Sequence, residues 1–253
     1  MSGFASTRRH FLVCIGAFAG IRFSSAFGQE AGASASIAPQ PYFAGVNRAI
    51  EALAKLGSPV TTADAQQIVT LARQSDGAAV EAAEKVLGRY TLADLLIASD
   101  GSAQVALGGA PRKLIEQGWS VFLVRVSNPQ GRTDNIWFSS GWGTPGQMGP
   151  ADHSAQRAGL ADTLNKAPAI GKMWLLSELY ETTPILRFGQ ELPVVGLSGS
   201  LVEYHVIQLY SRDHGQRRAD LTVYTLPKSD DGSDGSGHRE FTFECLPSRT
   251  ITL

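Results

Sequence analysis

Cysteine is nearly missing from this sequence: there are two, Cys14 and Cys245, in 253 residues. Two cysteines cannot build a disulfide scaffold or a closed Cys-rich zinc site. A dominant charge sign is missing as well, with 22 Lys+Arg against 23 Asp+Glu. That balance offers no basic stripe for a nucleic-acid backbone. No apolar run reaches the roughly 18 residues or more of a membrane span, so no stable transmembrane anchor is expected. Short catalytic signatures are absent too. There is no His-x-His, no His-Glu-x-x-His, no Walker loop, and no Gly-x-Gly-x-x-Gly behind a strand. Gly196-Leu197-Ser198-Gly199 falls short of a nucleophile elbow, because the second glycine is one position early. No cofactor is expected.

What is present begins with an address. Ser6–Leu12 reads Ser-Thr-Arg-Arg-His-Phe-Leu, and the apolar run Phe11–Ile21 follows. Ala26-Phe27-Gly28 then gives small-x-small. This is the order of charged region, apolar region and cleavage site. Arg8 and Arg9 followed by Phe11 and Leu12 resemble a twin-arginine export signal. Residues 1–28 are therefore expected to be a signal peptide cleaved near Ala26 and Gly28, with the twin-arginine translocase as partner during export and a periplasmic or secreted destination. Three arginines and no acid leave with it, which moves the net charge from −1 to −4. Cys245 is then the sole cysteine, alternating with Phe241 and Phe243 as a buried small hydrophobe would.

Residues 29–41 are rich in Gly, Ala, Ser and Pro and carry no period, so they read as a flexible leader. Residues 42–90 read as a helical unit. Ala49, Ile50, Leu53 and Leu56 recur at helical spacing, Thr61 opens a second helix, and Asp76 caps a third that ends at Gly88. Residues 91–253 read as a β-sandwich domain. Trp119–Val126 is a continuous apolar, β-branched run, expected as a strand buried on both faces. Asn128-Pro129-Gln130-Gly131 is a turn, and Asn135–Ser139 returns as its partner. Residues 141–171 are loop-like. Leu201–Tyr210, Leu221–Leu226 and Arg239–Leu246 are further strands, with Ser211–Arg218 expected as a turn. Strands in succession without intervening helices point to a mainly β fold, an antiparallel β-sandwich preceded by a small helical unit, α+β overall.

The residues that could carry chemistry are scattered. Asp152-His153 and Asp213-His214 are acid–base neighbours in loops, but adjacent side chains do not normally face the same way. His205 alternates within a strand, where a sheet-face role is simpler than a ligand role. The Asp/Gly-rich stretch 230–237 lacks the alternating ligands and the twelfth-position Glu of a calcium loop. Trp137 and Trp142 flank Phe138–Gly141, and tryptophans exposed on a sandwich can stack on sugar rings; capping the core is the simpler alternative. Arg217-Arg218 reads as a solvated pair.

Three segments together resemble a known family: Gly118–Gly131, Glu203–Leu221 and Phe243–Leu253, with Gln208-Leu209-Tyr210-Ser211-Arg212-Asp213 the most specific piece. They are similar to the N-terminal β-rich part of the carbamate-hydrolase-like (CehA/McbA-type) metallohydrolases of the polymerase-and-histidinol-phosphatase (PHP) superfamily. The similarity covers residues 90–253. The metal-binding barrel of that family has no counterpart here, so the resemblance implies no catalytic residue and no metal ligand. It implies an exported non-catalytic module that supports a separately encoded metallohydrolase chain, or a remnant of one. A free-standing ligand- or carbohydrate-binding sandwich is the alternative, and a hydrolase using Asp213 and His214 is a third reading.

Overall fold

A computed structural model describes residues 36–140, 174–187, 190–228 and 234–248, all within the compact unit spanning 35–253. The export signal expected at Arg8, Arg9, Phe11, Leu12, Ala26 and Gly28, together with Trp142 and His153, lies outside the described residues.

Local chemistry sets the helices. α1 (Pro39–Lys55) starts with proline in its first turn and has no side-chain cap; proline suits that position because its missing N–H would be unpaired anyway. α2 (Thr62–Gln74) is capped by Thr61, whose hydroxyl accepts the Asp64 amide at 3.2 Å. It stops at Ser75, which is left-handed at φ 51°. α3 (Gly77–Gly88) is capped by Asp76, whose carboxylate accepts the Ala79 amide at 2.7 Å. A polar knot around the buried Asp64 carboxylate closes this layer. Tyr90 donates to Asp64 at 2.5 Å and Arg89 at 3.1 Å, and the Tyr90 hydroxyl in turn accepts the Thr61 amide.

The strands are β1 (Thr91–Ile97), β2 (Ala103–Leu107), β3 (Lys113–Ile115), β4 (Gly118–Ser127), β5 (Asn135–Ser139), β6 (Leu175–Leu179), β7 (Thr183–Arg187), β8 (Gln190–Gly196), β9 (Val202–Ser211), β10 (Gly215–Leu226) and β11 (Gly235–Leu246). They form a five-stranded sheet in the order β2-β1-β4-β9-β6 and a six-stranded sheet in the order β3-β11-β10-β5-β8-β7. The two sheets share one core. Leu95, Val124, Ile207 and Leu209 meet Phe138, Val223, Phe241 and Phe243 across it. The fold is thus a β-sandwich, mainly β, with a helical layer.

That layer packs on the outer face of the five-stranded sheet, where Val46, Leu53 and Val80 pack in one cluster with Leu123, Val202 and Val206. This is why β4 is apolar without alternation: Leu123 faces the helices while Phe122, Val124 and Val126 face the sandwich core. Each such side chain contributes roughly 1.5–3 kcal/mol by leaving water. At one corner the start of β11 runs over β2 so closely that a Cβ on Gly237 would overlap the Ala103 carbonyl. Beside it Thr225 donates its hydroxyl to the Gly101 carbonyl. At the opposite side Ser140 donates to the Leu175 carbonyl at 2.9 Å, tying β5's end to β6.

Several sequence expectations need correction. The leader does not run to residue 41, because Pro39 and Pro41 already sit in the first turn of α1. The turn expected over Ser211–Arg218 is shorter, since β10 begins at Gly215, whose φ of 83° makes the reversal. The sheets are not wholly antiparallel: β1 pairs with β4, and β3 with β11, in parallel. Among the described residues no helix is long and apolar enough to cross a membrane.

Candidate functional site

β9 is paired along its whole length on one side and half its length on the other. With β4 its register runs from Val202 to Ser211. With β6 it runs only from Ile207 to Ser211, and the Tyr180 amide makes a last bond to the Val206 carbonyl at 2.9 Å. There the chain leaves the sheet through Glu181, left-handed at φ 59°. Main-chain bonds alternate sides along a strand. Tyr204 and Val202, two and four residues before Val206, therefore turn their amides and carbonyls to the edge that no described strand covers.

A cavity of about 250 Å³ occupies this gap, between the first half of α1, the end of β8 and the open half of β9. A second of about 230 Å³ continues it toward Ser36 and Gly199, sharing Pro41, Tyr42, Ser200 and Val202 as walls. Three of the lining residues, Tyr42, Tyr204 and His205, each carry a side-chain polar atom closed off from solvent and without a hydrogen bond of ordinary geometry; the two phenol hydroxyls adjoin each other, and His205 Nε2 faces Glu203. Tyr42 is only 3% exposed.

Electrostatics keep the phenols neutral. Burial, and next the Tyr204 hydroxyl, hold Tyr42 well above its ordinary value. Burial pushes Tyr204 up to about 12. Behind Tyr204 lies its register partner Arg125, which donates to Glu84 at 2.7 Å and lies 3.9 Å from Asp94. Burial raises the Asp94 carboxyl, with Arg125 opposing it.

Glu203 fastens the rim. Its carboxylate accepts the Ser198 amide at 2.9 Å and the Gly199 amide at 3.1 Å. The His205 Nε2 stands 3.6 Å from it, an ion-pair distance beyond hydrogen-bond reach. Burial would lift the Glu203 carboxyl, but His205 and the Ser198 amide outweigh it and hold the group below the usual carboxylate range. Arg48 and Glu181, both exposed, add one charge of each sign to the lining.

The residues singled out from sequence lie mostly elsewhere. Trp137 is not a surface for sugars: it is 4% exposed and stacks on Tyr224 at a centroid distance of 5.0 Å and an angle of 25°. Asp213 and His214 face different partners. Asp213 takes Arg217 at 3.2 Å and Arg212 at 3.6 Å, while His214 takes Glu116 at 3.0 Å. Ser248 bonds to the other oxygen of Glu116 through its amide at 3.1 Å. That serine is thus on the carboxylate and not across the imidazole, where a nucleophile would stand. Cys245 is buried, and burial raises its thiol. Arg218 is exposed beside Glu240. Among the described residues no group of three or more His, Cys, Asp or Glu side chains could hold a metal ion. Of the residues weighed as chemical, His205 lines the cavity, and so do Gly196 and Ser198 of the incomplete nucleophile motif; Tyr42, Glu203 and Tyr204 carried no sequence signal beyond their place in an amphipathic helix and an alternating strand.

No protein-family profile matches the chain, and no curated protein matches it in sequence. Among solved structures, an ASH / PapD-like domain of human CEP192 (PapD-like domain 7) is similar over 55% of this chain and 84% of its own, at 10% identity and a TM-score of 0.27. The sandwich described here is defined by its own strand pairing and shared core.

Proposed function

We propose that this chain is an exported, non-catalytic β-sandwich module that works by binding, with the cavity beside α1 as its working site. One observation carries the reading: a cavity of about 250 Å³ lies beside the half of β9 that no described strand covers, lined by Arg48, Ser198, Ser200 and Glu203 among apolar side chains. Sites for small molecules commonly combine such a concavity with a few convergent polar groups. The export half of the proposal rests on Arg8, Arg9, Phe11 and Leu12. A thermal-shift screen of the mature chain with small solutes, run beside esterase and amidase assays and metal analysis, tests the whole. Binding without turnover is the expected result. Turnover that survives repurification, or a screen in which nothing binds, overturns it.

A second reading is support of a separately encoded PHP-type metallohydrolase, as the resemblance over residues 90–253 implies. Three large apolar side chains near the end of β11 favour it. Ile115 and Leu246, 50% and 40% exposed, are register partners, and Gly118, next to the 38%-exposed Trp119, packs on Ile115. Co-purification with the product of a neighbouring gene for a His/Asp-rich barrel is the expected result; unrelated gene neighbours would count against it.

A further inference from the structure

We infer that the half of β9 left open by β6 is a docking edge for a short extended peptide, which enters the slot between α1 and the end of β8 and adds a strand to the five-stranded sheet. The inference rests on the reading of this cavity as the working site and adds the class of ligand.

The main chain comes first. Val202 and Tyr204 are in register with Ser127 and Arg125 of β4, but their amides and carbonyls point away from that strand. No described strand meets them on the other side. β6 is in register only over Ile207–Ser211, the Tyr180 amide closes on the Val206 carbonyl, and the chain turns off through Glu181. Peptide groups on one edge of a strand recur every second residue, about 7 Å apart. A second extended main chain carries donors and acceptors at that same spacing, which is how peptides add to open sheet edges. Room comes next. Val202, Tyr204 and Val206 all line the cavity of about 250 Å³, and its neighbour of about 230 Å³ continues past Leu201 to Gly199. The space thus follows the strand, and Val202 to Val206 offers about 14 Å of edge, a match for about five residues. Two walls then sort the side chains. Tyr180 packs with the helix-side cluster and Val195 with the sandwich core. Successive side chains of an added strand therefore face α1 and Tyr180 on one side, and Val195 and Ser198 on the other. Apolar side chains suit the first wall and small polar ones the second. Charge asks for neither sign: exposed Arg48 is matched by exposed Glu181, and Glu203 is bound to the Ser198 and Gly199 amides.

Gly45 supplies the variant. It lines the cavity from α1, and a Cβ there would meet nothing nearer than the Arg48 guanidinium at 4.0 Å. Gly45→Leu therefore grows into the slot, and leucine is favoured over glycine inside a helix, so the variant should fold at least as well as the parent. The test is calorimetric titration of the full mature chain, and of Gly45→Leu, with the peptide acetyl-Ser-Val-Ser-Val-Ser-Val-amide. Two analogues are run beside it, in which esters replace alternate amides, one lacking the valine N–H groups and the other the serine N–H groups. The expected result is saturable binding, its loss in Gly45→Leu, and weakening by at least about tenfold with one analogue only, since each edge of a strand presents every second N–H. Binding that survives Gly45→Leu lies elsewhere and overturns the inference. Binding that is lost in Gly45→Leu but weakened by both analogues alike, or by neither, leaves the working site standing and overturns the added strand. No peptide binding, beside a small solute that binds the parent and not Gly45→Leu, overturns the peptide and again leaves the working site standing. No binding by any probe overturns both. If Gly45→Leu fails to fold, the two analogues on the parent decide alone: a difference between them supports the added strand, and equal affinities overturn it.

Discussion

Single residues show why side-chain type does not reveal side-chain place. Trp137 sits beside a turn-rich stretch, and from sequence a sugar-stacking surface and a core role were both open. Register decides it: Trp137 pairs with Tyr224 of β10 and packs with Leu192, Val194 and Leu226 in a cluster that joins three strands. Trp137→Ala should therefore cost about 3–5 kcal/mol of stability, as large aromatic truncations in cores do, read by urea denaturation. A loss within about 0.5 kcal/mol, as for a surface change, would return Trp137 to the surface. Glu203 gives a pH-dependent counterpart. Its folded pKa lies below the ordinary carboxylate value, so its contribution is present above the ordinary range and is lost as pH falls through the lowered folded value. Glu203→Gln removes that contribution. The stability gap between parent and variant should be widest at neutral pH and close in acid, and a gap that stays constant across the titration would refute the assignment.

At the scale of elements, legibility followed local chemistry. Thr61 and Asp76 were readable as helix starts because an N-cap needs only a short oxygen-bearing side chain before an apolar period. Both accept the expected amide, at positions 64 and 79. Asp76→Ala should lower stability by about 1 kcal/mol and leave the sandwich intact; an unchanged denaturation midpoint would mean that packing alone sets the start of α3. β4, β5, β9 and β11 were readable because their apolar runs or alternation are strong. β1 was not, since Asp94 breaks its run and Leu92, Leu95 and Leu96 suit a helix equally well. Nor were β7 and β8, because each contains a proline, which in sequence argues against a strand. The structure resolves this conflict by pairing Pro184 with Pro193 in a hairpin at the sheet margin. There β5 reaches only Val195 and Gly196, so a missing N–H breaks no pairing with β5. The cavity was the least legible feature, since it depends on where β6 stops along β9, and no periodicity encodes that.

At the scale of the molecule, the helices and the sandwich complete one another. About fifty residues of helix bury too little surface to be stable alone. The five-stranded sheet, for its part, has an outer face that includes Leu123 at 0% exposure and Val206 at 4% only because α1 and its neighbours cover it. Polar contacts cross the same boundary, with Arg125 of β4 bonded to Glu84 of α3. Neither layer can leave without exposing the other's apolar surface, so helix loss and sheet unfolding should be one transition. The helical circular-dichroism signal and tryptophan fluorescence should give coincident urea midpoints. Leu53→Ala, at the centre of the helix–sheet cluster, should lower both together by about 2–5 kcal/mol. If the helical signal were lost first while fluorescence stayed native, the helices would be a separable appendage, and the cavity they wall on one side would open before the sandwich failed.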